Sequence, residues 1–298
     1  MVAWLDGRKT AALIRQELVQ QLSAHGSSWP PPTLAVLLVG NDLPSQIYVT
    51  HKKKACEEVG IQVQLHHFAN SIAERDLLHI IDGLNQDESI DGILVQLPLP
   101  TEINTQRVIS AVSPLKDVDG LHPINSGKLV AGDPTAFVPC TPKGVRELLC
   151  RHGVQIPGKH VVILGRSTLV GKSLALLLLQ KSSIGNATVT VVHSHTPNSS
   201  SLCRQADILV AAIGQPLYVG PDHVRPGAIV VDVGINGYGQ SPDGKRRIVG
   251  DVDFHAVADR CTFISPVPHG VGPMTIAMLL ENVVQAYRQH REGISLEG

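Results

Sequence analysis

Ser45, Tyr48 and Lys52 stand three and four residues apart, a spacing that stacks them on one face of a helix. Partial desolvation of an ammonium can lower a lysine's pKa enough for it to act in proton transfer. A phenol one turn away can position an aromatic substrate. The same lysine opens the run Lys52-Lys53-Lys54, and the plain reading of such a run is a solvated helix face. Spacing alone does not separate the two. Gln96 ends an apolar run just before Pro98-Leu99-Pro100, at the carboxyl edge of a strand, where ligands gather in open α/β sheets. A buried glutamine at that place can equally be structural. Lys116-Asp117-Val118-Asp119-Gly120 is either a charged turn or part of the rim of a cleft between two domains.

A second constellation follows the apolar run Val161 to Leu164. The segment Gly165-Arg166-Ser167-Thr168-Leu169-Val170-Gly171-Lys172-Ser173 leads into a helix whose first backbone N–H groups can hold phosphate. Its ending imitates an ATP or GTP phosphate loop, but that motif has four residues between its glycines and this chain has five, from Arg166 to Val170. The strict G-x-G-x-x-G dinucleotide fingerprint is also absent, so the turn by itself is a weak sign of a Rossmann-type site and is nearly as well read as a tight connection. The next strand adds information, because its carboxyl end is where such a domain holds the adenosine ribose. An acid there suits NAD, whereas cations and donors suit the 2′-phosphate of NADP. This chain has His193-Ser194-His195-Thr196, no carboxylate between Gly171 and Asp207, and Arg166 in the turn, which favours NADP. An isolated His-x-His taken alone reads as a solvated strand end.

These groups need a scaffold. The chain has 298 residues, room for two domains at roughly 150 each. With 43% hydrophobic and 17% charged residues it can bury a core. Lys+Arg 25 against Asp+Glu 26 leaves no electrostatic footprint for nucleic acid or an anionic membrane, which points to a small-molecule partner. Five scattered cysteines, never paired as Cys-x-x-Cys, fit neither a disulfide framework nor a zinc site, so a reducing compartment and no metal are expected. No apolar run approaches the ~20 residues that a bilayer needs, and no signal-type stretch opens the chain. The expectation is a cytoplasmic protein.

Apolar runs at 34–39, 61–68 and 90–95 alternate with helical patterns at about 45–59 and 72–84, after a first helix that stops at His25-Gly26. This alternation predicts a largely parallel sheet with crossover helices. A loop-rich middle, 98–142, carries the boundary. A second cycle then predicts strands at 161–164, 188–192, 208–213, 229–233 and 261–264 in a doubly wound sheet. The division expected is 1–142 for an N-terminal α/β catalytic domain and 143–272 for a Rossmann-type domain, with a last helix, 273–298, returning to the first.

Taken together, Ser45-Gln-Ile-Tyr48-Val-Thr-His-Lys52-Lys-Lys-Ala55-Cys, Val95-Gln96-Leu-Pro-Leu-Pro100, Lys116-Asp-Val-Asp119-Gly120, Pro139-Cys-Thr-Pro142, Gly165-Arg-Ser-Thr-Leu-Val-Gly171, His193-Ser-His-Thr196 and Pro266-Val-Pro-His-Gly-Val-Gly-Pro-Met-Thr275 resemble the bifunctional methylenetetrahydrofolate dehydrogenase/cyclohydrolase family. The segments fall in family order and span about Asp6 to Ala286. The resemblance implies oxidation of 5,10-methylenetetrahydrofolate with NADP and hydrolysis of the product, in one-carbon metabolism and purine biosynthesis. It also implies a homodimer with folate in an interdomain cleft.

Carried over position by position, it makes Lys52 the lysine required for hydrolysis and Tyr48 the residue that stacks on the folate. Gln96 becomes that lysine's neighbour and Asp119 the carboxylate that binds the pterin, with Leu97, Pro268 and Gly272 as further substrate contacts. NADP contacts fall on Gly165, Arg166, Ser167, Val170, Gly171, Ser194, His195, Thr196, Gly214 and Ile235, with Arg166 and Ser194 at the 2′-phosphate.

The chain departs from the family pattern at four positions. Pro44 stands where alanine is common, Ser173 for proline, His195 for arginine or lysine, and His269 for glycine. A histidine at 269 is costly if the backbone there requires positive φ. The competing functions are a dehydrogenase without the hydrolase and a dinucleotide-binding module without catalysis. The module leaves Tyr48, Lys52, Gln96 and Asp119 unexplained.

Overall fold

The computed structural model describes residues 2–24, 29–240 and 246–291. The expected stop of the first helix at His25-Gly26, and the expected part of the last helix beyond Arg291, lie outside them. In chain order the elements begin with β1 (Ala3–Trp4), α1 (Gly7–Ala24), β2 (Thr33–Val39), α2 (Leu43–Val59), β3 (Gln62–Phe68), α3 (Glu74–Gln86) and β4 (Gly92–Val95). Next come α4 (Thr105–Ala111), α5 (Pro123–Ala131), α6 (Cys140–Arg151), β5 (His160–Leu164), a π-helical turn (Thr168–Lys172) running into α7 (Ser173–Leu179), β6 (Thr188–Val192), α8 (Ser199–Cys203) and β7 (Ile208–Ala211). The chain continues through β8 (Ala228–Asp232), β9 (Asn236–Gln240), β10 (Arg246–Val249), α9 (Phe254–Val257), β11 (Cys261–Ile264) and α10 (Val271–Arg291). No helix among the described residues is long and apolar enough to cross a membrane.

Two compact units divide the chain. One comprises 13–140 with 276–298 and the other 1–12 with 141–275. The expected boundaries differ because β1 pairs in parallel with β11, Ala3 opposite Phe263 and Trp4 opposite Ile264, which carries the N-terminal residues into the second unit.

In the first unit β3, β2 and β4 form an all-parallel sheet in that order. Every residue of β2 is buried, as its unbroken apolar run requires of a strand covered on both faces. The chain leaves β2 to form β3 on one side and β4 on the other, so the strand order reverses beside β2. Ligand crevices of open α/β sheets lie at that point, outside the carboxyl ends. The middle segment is less loop-rich than its sequence suggested. Helices α4 and α5 are only seven and nine residues long. Too few turns are present for a periodic apolar stripe to show.

In the second unit six parallel strands run in the order β6, β5, β7, β8, β11, β1. The order reverses between β5 and β7, as expected for a doubly wound sheet. The antiparallel pair β9 and β10, which the apolar runs did not announce, stands apart from that sheet.

Candidate active site

Helix α2 starts beyond the carboxyl end of β2, where Asp42 caps it by accepting from the Ser45 N–H at 3.0 Å and the Ser45 hydroxyl at 2.7 Å. That cap fixes the helix rotation, and the lysine run resolves into unlike members. Lys52 is buried, only 7% exposed, while Lys53 and Lys54 face solvent. Lys52 Nζ donates to Gln96 Oε1 at 3.0 Å and lies 5.3 Å from the centroid of the Tyr48 ring. The Gln96 amide is held the right way round because its Nε2 donates to the carbonyl of half-buried Leu97 at 2.7 Å. Gln96 itself is half-buried at the end of β4. Strand pairing of β2 with β4 therefore brings an ammonium and its acceptor together from opposite sides of the strand-order reversal.

Electrostatics assigns these groups different capacities. Burial, then the Asp119 carboxylate, then Cys140 push the Tyr48 phenol above its ordinary value, so Tyr48 offers a neutral hydroxyl and a ring face but no base. Burial pushes the Cys56 thiol up to about 12, with Lys52 opposing the shift. That thiol stays protonated and is no nucleophile.

Asp119 sits on a segment fixed from below. Lys116 O accepts from the Ile93 N–H at 2.7 Å, so this stretch bridges to the edge of β4. Lys116 Nζ donates to the carbonyls of Leu84 (3.0 Å) and Asp87 (2.7 Å) at the end of α3. The Asp117 carboxyl is 4% exposed and accepts from the N–H groups of Leu121 and His122 and from Asn125 Nδ2. Fully buried Asn282, on α10, donates to the carbonyls of Val118 (2.8 Å) and Val138 (3.0 Å). Sequence reasoning passed over Asp117 and Asn282 as site supports. No spacing signal connects Asn282 with a residue 164 positions earlier.

On the second unit the glycine turn behaves as a close-approach turn. Gly165 has φ +124°, and a Cβ there would run into the Ala212 carbonyl. The Gly165 N–H donates to Val192 O at 2.8 Å, which ties the turn to the end of β6. Arg166, Ser167, Ser194 and His195 are exposed, while Val170 and Thr196 are partly covered and Gly171 is buried. The Ser167 hydroxyl accepts from the Val170 N–H at 3.2 Å. In the 193–196 turn the His193 N–H donates to Thr196 Oγ1 at 3.0 Å and the His195 N–H to His193 Nδ1 at 3.2 Å. A cationic Arg166, hydroxyl donors and no nearby carboxylate in sequence suit a phosphorylated ribose, so these residues fit NADP. Gly214, with φ +66°, follows β7, and Ile235, 56% exposed, follows β8. Gly272 is close to Ile235, whose Cδ1 would lie 3.6 Å from a Cβ added there. Pro268 is exposed on the loop before α10, and both Pro268 and Gly272 belong to this unit rather than to that of Lys52. His269, on the same loop, has φ +88°, the strained conformation its sequence position raised.

A profile of the family described as tetrahydrofolate dehydrogenase/cyclohydrolase, catalytic domain, matches residues 5–119. One described as the NAD(P)-binding domain of the same family matches residues 139–291. A bifunctional protein FolD of Campylobacter curvus is 49% identical over 292 residues, covering 98% of each chain. The crystal structure of the bifunctional FolD methylenetetrahydrofolate dehydrogenase/cyclohydrolase of Campylobacter jejuni superposes with a TM-score of 0.90 at 45% identity, covering 97% of this chain and all of that one. The Trypanosoma brucei enzyme, solved with NADP and an inhibitor, gives a TM-score of 0.90 at 37% identity over 99% of each chain.

Proposed function

This chain belongs to the tetrahydrofolate dehydrogenase/cyclohydrolase family, and from that premise we propose that it oxidises 5,10-methylenetetrahydrofolate with NADP and hydrolyses the methenyl product to 10-formyltetrahydrofolate. The observation that carries the reading is the buried Lys52 ammonium bonded to Gln96 beside the Tyr48 ring. A dinucleotide-binding module has no use for it.

The nicotinamide ring, when bound, takes a hydride from the carbon bridging N5 and N10. The remaining cation is spread over two nitrogens, so this step asks the protein for positioning and no base. Tyr48 supplies a ring face for the folate's aromatic part, and Asp119 supplies an acceptor for N–H groups of the pterin. Hydrolysis asks for more. Water adds to the bridging carbon, the added oxygen loses both of its protons in turn to become the formyl oxygen, and the bond to N5 breaks as N5 takes one proton up, so that one proton is released overall. Lys52 Nζ is the group placed to hand protons between these positions, and Gln96 Oε1 orients it by accepting one of its three N–H bonds. A tyrosine kept protonated cannot compete for that role.

Assembly as a homodimer in the cytoplasm, supplying one-carbon units to purine biosynthesis, belongs to the same proposal and rests on the family resemblance. The test follows methylenetetrahydrofolate oxidation spectrophotometrically with NADP and with NAD, recording reduced cofactor and the methenyl chromophore together. The reading expects cofactor reduction with NADP and decay of the methenyl signal. Reduction with persistent methenyl absorbance would leave a dehydrogenase alone, and no reduction with tight NADP binding would leave a binding module.

A further inference from the structure

We infer that Asp251, which follows β10, is a positioning residue for the dinucleotide site, its buried side chain locking together the two loops that carry Gly214 and Ile235. Its side chain is wholly buried (0% exposed) and both oxygens are engaged. Oδ2 accepts from the backbone N–H groups of Ile213 at 2.7 Å and Gly214 at 3.0 Å, just past the end of β7. Oδ1 accepts at 2.8 Å from Nδ2 of Asn236, the first residue of β9, adjacent to Ile235 in the connection from β8. Residues 213 and 214 lie beyond the end of β7, and without this side chain their N–H groups lose the acceptor that aims them.

A second carboxyl holds Asp251 in turn. Asp232, at the end of β8, accepts from the N–H groups of Asp251 (2.9 Å), Val252 (3.0 Å) and Gly234 (3.0 Å). The Ser265 hydroxyl accepts from the Asp232 N–H at 2.7 Å. Close approach is possible because Gly234 has no side chain: a Cβ there would collide with Asp251. Three separate loops at the carboxyl edge of the parallel sheet are thus joined through two acid side chains, and that edge is where a doubly wound sheet receives its ligand.

This inference rests on the reading that a dinucleotide is held by the Gly214 and Ile235 loops. Its consequence is directional, since only dinucleotide-dependent steps should suffer when Asp251 is changed. Asn236 offers an internal check. Exchanging the two groups, Asp251→Asn with Asn236→Asp, keeps an oxygen toward 213–214 and reverses the donor and acceptor of the other bond.

The experiment measures the NADP Kd by titration, the KM for NADP in the dehydrogenase assay and the rate of methenyltetrahydrofolate hydrolysis without dinucleotide. The wild type is compared with D251A, N236A and the double exchange D251N/N236D. Expected are a tenfold or larger rise in Kd and KM for D251A and a several-fold rise for N236A. The double exchange should recover much of the loss, and hydrolysis should stay within about twofold throughout. Unchanged NADP affinity in N236A and D251A, or hydrolysis falling in step with NADP affinity, overturns the inference. Should D251A fail to fold, N236A and the double exchange decide it by the same readings. A wild type that binds no NADP would instead refute the functional reading on which the inference stands.

Discussion

Lys52 and Gln96, 44 residues apart in sequence, meet through a 3.0 Å hydrogen bond at the reversal point of a three-stranded parallel sheet. The lysine is carried by α2 and the glutamine by the end of β4, so neither can shift without disturbing elements anchored in the core.

If Lys52 handles the protons of hydrolysis, Lys52→Ala should lower methenyltetrahydrofolate hydrolysis by about 10²-fold or more, the usual range for a positioned acid or base. Hydride transfer should lose far less. Gln96→Ala should weaken hydrolysis too, and the double variant should be scarcely worse than Lys52→Ala because the two act as a unit. Normal formyl product from Lys52→Ala would remove the lysine from the mechanism.

The strain at His269 predicts a stabilising substitution. A side chain at φ +88° is disfavoured, by about 1–2 kcal/mol for residues in left-handed conformations. Part of any gain is offset by the greater freedom of glycine in the unfolded chain. His269→Gly should therefore raise the denaturant midpoint by an amount corresponding to about 1 kcal/mol or less. His269→Ala, which keeps the Cβ, should not. Equal midpoints for the two variants would mean that the loop tolerates the conformation without strain.

Cofactor preference should respond to position 195. His195 is exposed beyond the end of β6, three residues past its last strand pair with β5, at the sheet edge where Arg166 follows β5. His195→Arg adds a fixed cation with a planar fork of donors suited to phosphate. The ratio of kcat/KM for NADP over NAD should rise on the order of tenfold, as for one charge-assisted hydrogen bond. An unchanged ratio would place the 2′-phosphate away from this turn.

Asp117 gives a pH signature. Burial raises its carboxyl from 3.8 to about 7 despite three hydrogen bonds that favour the charged form. The folded protein therefore binds this proton more tightly than the unfolded chain does. The stabilisation is fully present below about pH 4 and is lost as pH climbs to about 7. At roughly 1.4 kcal/mol per unit the change across that window is on the order of 4 kcal/mol. Asp117→Asn cannot titrate, so the stability gap between wild type and variant should shrink as pH rises from 4.5 to 7.5. A gap that widens would reverse the assignment. Asp232, also raised to about 7 by burial, acts with the same sign in both proteins and cancels in the comparison.

Asn282→Ala leaves the Val118 and Val138 carbonyls without this donor in a buried setting, which destabilises by about 1–3 kcal/mol. Because those carbonyls frame Asp119, the KM for the folate should rise while the Kd for NADP stays put. A change in NADP affinity of similar size would mean that the substitution acts on the whole fold.

Much of this protein was written locally. The unbroken apolar runs at 34–39 and 161–164 read as buried parallel strands because such strands are covered on both faces. The order of motifs around Tyr48, Lys52, Gln96, Asp119 and Gly165 carried the family. What stayed illegible depends on distant partners. β1 is two residues long and exists because β11 offers it an edge, and the antiparallel pair β9 and β10 lacks the apolar alternation of a sheet with a buried face. A lysine run does not say which member is buried; the cap at Asp42 and the pairing of β2 with β4 decided that it is Lys52. Nor do short-range patterns reveal that Asn282 frames Asp119 or that Asp251 joins the loops after β7 and β8. A hydrogen bond between groups far apart in sequence has no periodicity, and only the folded backbone brings donor and acceptor within 3 Å.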